Sequence, residues 1–384
     1  MNDTVLLTGA TGFLGMELLV RLLERTDHEV IVLVRTREGG TPAERMAEVY
    51  AQLYEEVPAR FVDRVTAFAG DISTGGLGLS VEDRNEILQR ATGVVHCAAS
   101  IAFDLPMPAA MNTNAAGTAR ILSLALELAE LGRLRRIVHV STAYVSGCQA
   151  GVFLERDLGL GQRFRNSYEA SKASAEWVIR CSPLDLPLVV ARPSIVVGDS
   201  RCGWTPAFNV IYWPLRAFCR GLIDTIPASP GGILDIVPLD YVADGILALY
   251  ERDEVDGTVH LVAAESAITN AELGELASRR FALSPPTFGA DEVPRVPDAA
   301  TYLPYFHVEA SFDDLRAREI LGVEGIHAPP LDQYFSPIVD YAQQAKWGKQ
   351  PVVRELVHRA ARQPRPDTPQ ERPNGDVLPR SQAG

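Results

Sequence analysis

The chain has 384 residues, of which 47% are hydrophobic, and a formal net charge of −13. This composition supports a large buried core, and the acidic balance argues against nucleic acid as a partner, because phosphate binding needs surfaces rich in lysine and arginine. The longest apolar helical stretch, at 121–131, is interrupted by polar and charged residues and is shorter than the roughly 18 residues of a membrane span, so we expect no integral membrane segment.

The first ten residues, MNDTVLLTGA, lack the basic segment and the small-residue cleavage site of a signal peptide. We therefore expect a cytoplasmic protein. The five cysteines show no CxxC pair, which favours reduced thiols over a disulfide framework. The seven histidines show no HxxxH or HExxH spacing, so the sequence predicts no metal site.

Predicted strands alternate with predicted helices through the first half of the chain. Apolar, β-branched runs predict strands at 5–8, 30–34, 65–69, 94–96, 137–141 and 188–191, and the segments between them predict helices at 14–23, 44–54, 81–89, 115–131 and 168–180. This alternation is typical of a parallel sheet covered by helices on both faces. After residue 193 the segment 204–232 is rich in aromatic residues and prolines, and a helix, a strand and a helix follow at 241–250, 259–262 and 271–279.

A glycine-rich loop follows the first predicted strand. The stretch TGATGFLG places Gly9, Gly12 and Gly15 between that strand and an amphipathic helix. Glycine permits a tight turn and lets backbone N–H groups approach a pyrophosphate, whose charge the helix N-terminus favours. The loop predicts a dinucleotide site, and the alternative is a strand-to-helix turn that needs glycine for its shape alone.

The second predicted strand ends in LVR, which places Arg35 where a dinucleotide enzyme reads the adenosine ribose. An acidic residue there would bind a free 2′-hydroxyl, whereas arginine suits a 2′-phosphate, so the sequence favours NADPH with Arg37 and Arg45 assisting. The alternative for Arg35 is a solvated loop charge. Asp71, just after the third strand, is placed either to hydrogen-bond adenine or to cap its own turn.

A tyrosine and a lysine lie one helical turn apart in YEASK. The spacing puts Tyr168 and Lys172 on one helix face, where the ammonium would lower the phenol pKa from about 10 and make proton transfer feasible. Thr142, at the end of the fifth strand in HVSTAYVSG, could reach the same substrate oxygen. Singly, such residues are common surface or strand residues; together, after a dinucleotide loop, they predict a reactive site.

This combination resembles the extended short-chain dehydrogenase/reductases over about residues 5–262. The resemblance implies an α/β fold of Rossmann type, with a doubly wound parallel sheet and a smaller C-terminal substrate-binding region. It also implies that Thr142, Tyr168 and Lys172 are catalytic. Asn114, in NTNAAGT, matches an asparagine common in these proteins and would support Lys172 through water; the alternative is an N-cap for the helix that starts at residue 115.

With this fold, residues 1–192 are expected to form the NADP-binding domain and residues 193–362 the substrate-binding region, with late elements of the sheet near 235–262. The tail at 363–384 is polar and proline-rich and is expected to be disordered. The residues assigned to the cofactor, besides Tyr168 and Lys172, are Gly9, Thr11, Gly12, Phe13, Leu14, Gly15, Arg35, Arg45, Asp71, Ile72, Ala98, Ala99, Pro193 and Ser194.

Four further stretches are similar to one branch of that family. HCAASIAFDLP, LVR, ARPSIVVG and DIVPLDYVADGI resemble fatty acyl-CoA reductases and the terminal thioester reductase domains of carboxylic acid reductases and peptide synthetases. The resemblance implies NADPH-dependent reduction of an acyl thioester, bound to CoA or to a carrier protein, to an aldehyde; further reduction to the alcohol stays open. No adenylation domain or carrier-protein serine motif is evident, so the acyl donor is expected to come from elsewhere. A monomer and a homodimer are both compatible with the sequence.

Other functions and other uses of the aromatic segment stay open. The alternative is an NADP-dependent reductase, epimerase or dehydratase that acts on a ketone, a sterol or a nucleotide sugar, and Arg201, Arg216 and Arg220 keep the nucleotide sugar in consideration. A protein that binds NADP without chemistry typically loses the Tyr/Lys pair, which is present here. The aromatic segment is expected to form an acyl pocket, core, a dimer surface or a membrane-surface helix through Phe208, Val210, Ile211, Tyr212, Trp213, Leu215 and Phe218.

Overall fold

The computed structural model describes residues 3–182, 185–289 and 299–363. Its central feature is a seven-stranded sheet in which every neighbouring pair is parallel, in the order β7–β6–β5–β4–β1–β2–β3. This confirms the predicted doubly wound parallel sheet, and each strand lies within two residues of its predicted position. The strands are β1 Thr4–Thr8, β2 Glu29–Val34, β3 Val65–Ala69, β4 Gly93–His96, β5 Arg136–Val140, β6 Leu188–Pro193 and β7 Gly257–Leu261.

Helices connect the strands and cover both faces of the sheet. The longer helices are α1 Phe13–Arg25, α2 Pro42–Leu53, α3 Val81–Arg90, α4 Ala116–Glu130, α5 Ser167–Arg180, α6 Tyr212–Cys219, α7 Leu239–Glu251, α8 Asn270–Phe281, α9 Leu331–Gln344 and α10 Arg354–Ala361. Shorter α-helical segments lie at Ala59–Val62, Met107–Ala110, Ala299–Tyr302 and Leu315–Leu321. Among the described residues, no helix combines the length and the apolarity needed to span a bilayer.

The alternation of side chains along each strand builds two separate cores. Leu7 belongs to the core that α1 and α7 cover, whereas its neighbour Leu6 belongs to the core that α3 and α4 cover. Successive residues of a strand point to opposite faces, so a strand buried on both faces must be apolar throughout. This is why the strands of the sheet appear in the sequence as continuous apolar runs.

A third core lies beyond the carboxyl ends of the strands and is rich in aromatic residues from the second half of the chain. Short strand pairs enclose it at Ile195–Val197 with Ile236–Pro238, Gly151–Phe153 with Ala310–Phe312, Thr225–Ile226 with Thr287–Phe288, and Ile233–Leu234 with Ile268–Thr269. Between these pairs the chain returns to the large sheet, where β7 lies beside β6. Of the predicted disordered tail, only Gln363 lies within the described residues.

Candidate active site

The glycine loop between β1 and α1 takes a shape that only glycine permits at two positions. Gly9 has a φ of +82°, and a Cβ atom there would lie 2.7 Å from the backbone nitrogen of Ala98. A Cβ atom on Gly15 would lie 1.9 Å from the carbonyl oxygen of Gly9. Gly12, which donates its N–H to Gly9 O at 2.8 Å, begins α1 without a side-chain cap. The first N–H groups of α1 are therefore available to a phosphate, as the pyrophosphate of a dinucleotide requires.

The loop faces a cavity of about 460 Å³ at the carboxyl ends of β1, β4, β5 and β6. This is the edge of a doubly wound sheet at which ligands bind. A larger cavity of about 790 Å³ lies beside β6 and β7, but none of the predicted site residues lines it. The predicted residues that line the smaller cavity are Gly9, Gly12, Phe13, Leu14, Gly15, Ala99, Thr142, Tyr168, Lys172, Pro193 and Ser194.

The predicted catalytic residues meet in this cavity from two elements. Tyr168 and Lys172 lie on the first half of α5, whose N-cap Asn166 accepts the N–H of Glu169 at 2.9 Å. Thr142 follows the end of β5 and is 4% exposed. Its side chain hydrogen-bonds to that of Tyr168. The Lys172 Nζ donates to the carbonyl oxygen of Val140, the last residue of β5, at 2.7 Å.

The acidity of the phenol differs from the prediction. Burial raises the pKa of Tyr168 to about 12, and the hydrogen bond with Thr142 opposes that rise. The expected lowering of this pKa by Lys172 is wrong for this structure: the cost of removing a phenolate from water is the largest effect on Tyr168, and Lys172 is not among the groups that shift its pKa. Burial also lowers the pKa of Lys172 to about 8. Near neutral pH the site therefore holds a neutral phenol beside an ammonium group.

Asn114 is not a helix cap. It lies in a π-helical turn at Met111–Ala115, which continues without a break into α4. The side chain is buried and accepts the Ser100 N–H at 2.8 Å, while its amide donates to Ser100 O and to the Ser171 Oγ. The N-cap interpretation is therefore wrong. The amide contacts the neighbour of Lys172 on α5 rather than Lys172 itself.

The residues predicted to read the adenosine end lie outside the cavity. Arg35 follows β2, is exposed, and forms no hydrogen bond or ion pair with a described residue. Arg37 and Arg45 share the single carboxylate of Glu48, so their charges are compensated only in part. Arg35 differs from both because it has no carboxylate partner among the described residues.

The loop after β3 is fixed by its own hydrogen bonds. Asp71 Oδ1 accepts the backbone N–H of Ser73 at 2.8 Å and the Ser73 hydroxyl at 2.6 Å, which is the turn-capping geometry considered above. Ile72 is buried against α4, where its side chain would lie 3.1 Å from a Cβ atom on Gly117. Thr11 lies in the turn before α1 and Ala98 in the irregular segment after β4, and neither lines the cavity.

The cavity wall that faces the glycine loop and the reacting residues is aromatic, and the sequence did not predict most of it. Phe103 stacks on Tyr305 at 4.9 Å between ring centroids and contacts the ring of Tyr168 at 5.6 Å. Tyr302 meets Phe103 edge-on at 5.8 Å, and Tyr144 meets Tyr305 at 5.1 Å. In the sequence, the residues that could have indicated this wall are the aromatic residues in TYLPYF, in STAYVSG and in HCAASIAF. We call Phe103, Tyr144, Tyr302 and Tyr305 the aromatic wall.

The aromatic segment after residue 204 contributes little to the cavity. Of the seven residues proposed for an acyl pocket, Val210 lines it together with its neighbour Asn209. The others mostly pack in the third core, which confirms the core interpretation for Ile211, Tyr212, Leu215 and Phe218. Their apolar character serves the fold, and this could not be distinguished from a ligand pocket by composition.

One hydroxyl in the aromatic wall has no partner in the described part of the chain. The Tyr144 Oη is buried and makes no hydrogen bond there. Buried polar atoms are normally hydrogen-bonded, so this hydroxyl is an exception in a side chain that lines the cavity. The free N–H groups of α1 make the cavity suitable for the pyrophosphate of a dinucleotide.

A cluster of Asp199, Cys202 and His358 lies away from this cavity, with its potential ligand atoms within 4.8 Å of one another. The spacing of these residues in the chain is too wide for any metal motif, so the sequence could not indicate it. The Asp199 carboxylate already accepts hydrogen bonds from the side chain of Arg201 and from its backbone N–H, both at 2.9 Å. The cluster is thus occupied by an internal ion pair.

Comparisons with known proteins agree with the fold and with the site described above. The model of an NAD-binding family described as "Male sterility protein" matches residues 7–246. Human fatty acyl-CoA reductase 1 is 33% identical over 283 residues, covering 64% of this chain and 54% of the human protein. The fatty acyl-CoA reductase wat of Drosophila melanogaster is 28% identical over 278 residues, covering 64% and 53%. This chain thus spans about half the length of these curated relatives.

Solved structures with the same fold include the terminal R domain of the myxalamid PKS-NRPS pathway, with a TM-score of 0.77, 25% identity, and coverage of 91% of this chain and 93% of that domain. The UDP-glucuronic acid 4-epimerase of Bacillus cereus, solved with NAD, has a TM-score of 0.65 at 18% identity over 90% and 98% of the two chains, which shows the shared fold alone. The resemblance to the fatty acyl-CoA reductase and thioester reductase branch is confirmed. Since the family model covers most of the chain, this protein belongs to the NAD-binding family described as Male sterility protein.

Proposed function

We propose that this protein is an NADPH-dependent reductase of acyl thioesters. The observation that carries the proposal is one cavity in which the glycine loop, Thr142, Tyr168 and Lys172 face an aromatic wall. The relatives named above are fatty acyl-CoA reductases, and the R domain is the terminal part of a carrier-dependent pathway. Both sources of thioester, CoA and a carrier protein, are compatible with such a cavity.

The choice of NADPH over NADH rests on Arg35. Its guanidinium is exposed at the end of β2 and is not paired with a described carboxylate, unlike the two arginines that share Glu48. A planar guanidinium binds the 2′-phosphate through charge-assisted hydrogen bonds. When bound, the reduced nicotinamide would supply the hydride. The loop at Gly9, Gly12 and Gly15 would hold the pyrophosphate.

The reacting residues suit addition of hydride to a thioester carbonyl. As the hydride reaches the carbonyl carbon, negative charge develops on the oxygen, where the Thr142 and Tyr168 hydroxyls would stabilise it. The raised pKa of Tyr168, about 12, keeps the phenol protonated, so Tyr168 can give its proton to that oxygen. The hemithioacetal then collapses: its C–S bond breaks, its hydroxyl loses a proton as the aldehyde forms, and the sulfur takes up a proton to leave as a thiol. A proton from solvent restores the Tyr168 phenol.

The lining of the cavity favours an acyl group over a nucleotide sugar. Among the described residues that line it, Lys172 is the cationic side chain, and the wall opposite is aromatic. A sugar diphosphate would need cations beyond the one used for catalysis. Arg201 is paired with Asp199, and neither Arg216 nor Arg220 lines the cavity. The basic residues that kept the sugar alternative open are therefore not at the site.

A substrate panel tests the proposal. NADPH oxidation is followed with octanoyl-CoA, octanoyl-pantetheine as a carrier mimic, and UDP-glucose, and the aldehyde and alcohol products are identified by mass spectrometry. We expect turnover with at least one thioester and none with UDP-glucose. Turnover with the sugar nucleotide alone, or no thioester reduction by a protein that binds NADPH, would overturn the assignment.

A further inference from the structure

A buried carboxylate continues the line of reactive residues along α5. Tyr168, Lys172 and Glu176 follow one another at intervals of four residues, which places them on one face of the helix. The Glu176 side chain is 1% exposed. A carboxylate so far from water must be paired, and its partners show what it holds together.

Glu176 joins three elements of the site. Its carboxylate accepts from Arg192 on β6 through Nε at 2.9 Å and Nη2 at 2.6 Å. It also accepts the hydroxyl of Ser141, the residue before Thr142, at 2.5 Å. Arg192, which is fully buried, immediately precedes Pro193 and Ser194 of the cavity lining. One carboxylate thus links α5 to the ends of β5 and β6.

The same carboxylate acts on the charge of Lys172. It favours the ammonium form and so raises the lysine pKa against the lowering caused by burial. The other titratable groups near Lys172 are neutral at neutral pH: burial raises the pKa of Cys97 to about 12, lowers that of His96 to about 3, and lowers that of His139 well below its ordinary value. Tyr168 is neutral as well. Glu176 is therefore the principal anion acting on this ammonium among the described residues.

We propose that the buried Glu176–Arg192 ion pair is the positioning element of the reacting site: it fixes the strand ends that carry Thr142 and Ser194 against the helix that carries Tyr168 and Lys172, while the Glu176 carboxylate favours the ammonium form of Lys172. This inference rests on the proposed function for its kinetic consequence. A buried ion pair is poor evidence of stabilisation, since apolar replacements are often as stable, so specific geometry is the better reason for its presence here.

A matched ion pair elsewhere supplies the control. Glu17 on α1 is equally buried, with a side chain that is 1% exposed, and it pairs with Arg354 through Nε at 2.7 Å and Nη2 at 2.8 Å. Glu17 also pairs with Arg21, so Glu17→Gln removes the same charge from a position that is equally buried but contacts a second arginine. Neither Glu17 nor Arg354 lines the cavity.

The kinetic experiment compares the two variants in the full chain. We expect Glu176→Gln to lower kcat on the order of 10²-fold, because small displacements of reacting groups are costly, with much smaller changes in KM and in NADPH affinity. Glu17→Gln is expected to keep kcat close to that of the wild type while losing comparable stability to urea. Ser141→Ala removes the hydrogen bond to the Glu176 carboxylate and leaves the Glu176–Arg192 ion pair in place, so it should give a smaller loss of kcat. It replaces Glu176→Gln as the test variant if Glu176→Gln does not fold.

A spectroscopic readout does not depend on turnover. The chain has three lysines, Lys172, Lys346 and Lys349, so lysine labelled with ¹³C at Cε gives few signals, and Lys172→Arg assigns the one of interest. We expect the pKa of Lys172, about 8 in the wild type, to fall in Glu176→Gln and to stay unchanged in Glu17→Gln. A merely structural role for Glu176 would not produce this difference.

The kinetic and the spectroscopic measurements together distinguish failure of the proposed function from failure of the role proposed for Glu176. If the wild type reduces no thioester while the Lys172 pKa still falls in Glu176→Gln, the proposed function fails and the electrostatic part of the inference stands. If thioesters are reduced and Glu176→Gln keeps wild-type kcat and the wild-type Lys172 pKa, the positioning role is overturned. Equal loss of kcat in Glu17→Gln would overturn it too, because general destabilisation would then explain the effect.

Discussion

The two walls of the cavity are built in different ways. The reacting wall consists of backbone and polar side chains at the ends of parallel strands together with Tyr168 and Lys172 of α5, and hydrogen bonds such as Lys172 Nζ to Val140 O fix these groups. The aromatic wall consists of rings, with Phe103 from the loop after β4 and Tyr302 and Tyr305 from the segment that starts at residue 299. It meets the reacting wall through ring contacts and a hydrogen bond from Asn166 Nδ2 to the Tyr305 hydroxyl at 3.1 Å.

This difference in construction suggests that the two walls have different functions. Buried hydrogen bonds hold atoms to a few tenths of an ångström, as bond-making chemistry requires, whereas ring contacts tolerate substitution and adapt to the shape of a ligand. Changes in the reacting wall should therefore alter turnover for every substrate. Changes in the aromatic wall should alter which acyl groups are preferred.

The largest effect is expected at Tyr168. Tyr168→Phe removes the proton donor and keeps the ring that packs on Phe103, so kcat should fall by about 10²- to 10⁴-fold while NADPH binds nearly as before. Steady-state kinetics and a fluorescence titration with NADPH measure the two quantities. Wild-type kcat in this variant would show that Tyr168 is not the proton donor. It would also contradict the claim that changes in the reacting wall alter turnover.

The glycine loop should be the next most sensitive feature. Gly15→Ala places a Cβ atom 1.9 Å from Gly9 O, so the backbone must shift; we expect a loss of about 1–3 kcal/mol in the free energy of unfolding and a marked loss of NADPH affinity. Urea unfolding and calorimetric titration test this. Gly75→Ala is the control, because nothing lies within 4 Å of the added Cβ atom. Similar NADPH affinities for the two variants would contradict the close approach argued for the loop.

Arg35 should affect the choice of cofactor rather than the rate. Arg35→Ala removes the unpaired guanidinium, and we expect the preference for NADPH over NADH to fall about tenfold, the size of a charge-assisted hydrogen bond. Arg37→Ala, which breaks an exposed pair with Glu48, should change the preference little. The ratio of kcat/KM for the two cofactors measures this. An unchanged ratio in Arg35→Ala would remove the support for NADPH.

The smallest effect is expected in the aromatic wall and concerns substrate preference. Tyr305→Leu shortens the wall, and the optimum acyl length should shift, with changes of about fourfold per methylene at 0.8 kcal/mol each. Tyr305→Phe keeps the ring and loses the bond to Asn166, so it should keep the wild-type preference. Phe208→Leu is a control outside the cavity. If the dependence of kcat/KM on acyl length, measured with C4 to C16 acyl-CoAs, were unchanged in Tyr305→Leu, the claim that the aromatic wall sets substrate preference would be contradicted.

The same difference between the two walls explains what the sequence could predict. TGATGFLG and YEASK are local: their spacing alone sets a strand-to-helix turn and a shared helix face, and the structure places both at the cavity. The strands were predictable because burial on two faces demands continuous apolar runs. Phe103 and Tyr305 meet across about two hundred residues of chain, and no periodicity links them.

Other misses have equally specific causes. The pKa of the Tyr168 phenol differs from the expectation because its largest cause is burial, which depends on the whole fold and is not visible in the spacing of YEASK. Asn114 was considered as an N-cap because its residue type suits that position, yet the chain is already helical from Met107. The partnership of Glu176 with Arg192 joins α5 to a later strand, so neither residue stands out in the sequence by itself.

The order of strands in the sheet has a consequence for how the protein reaches its native state. β1, the strand of this sheet that comes earliest along the chain, lies in the centre between β2 and β4, whereas the edge strand β7 comes last, at Gly257–Leu261. Parallel pairing over such separations closes long loops, which makes folding slow. The glycine loop is therefore made long before the sheet that supports it is complete, and we expect the apolar strands made in between to be prone to aggregation until β7 is added.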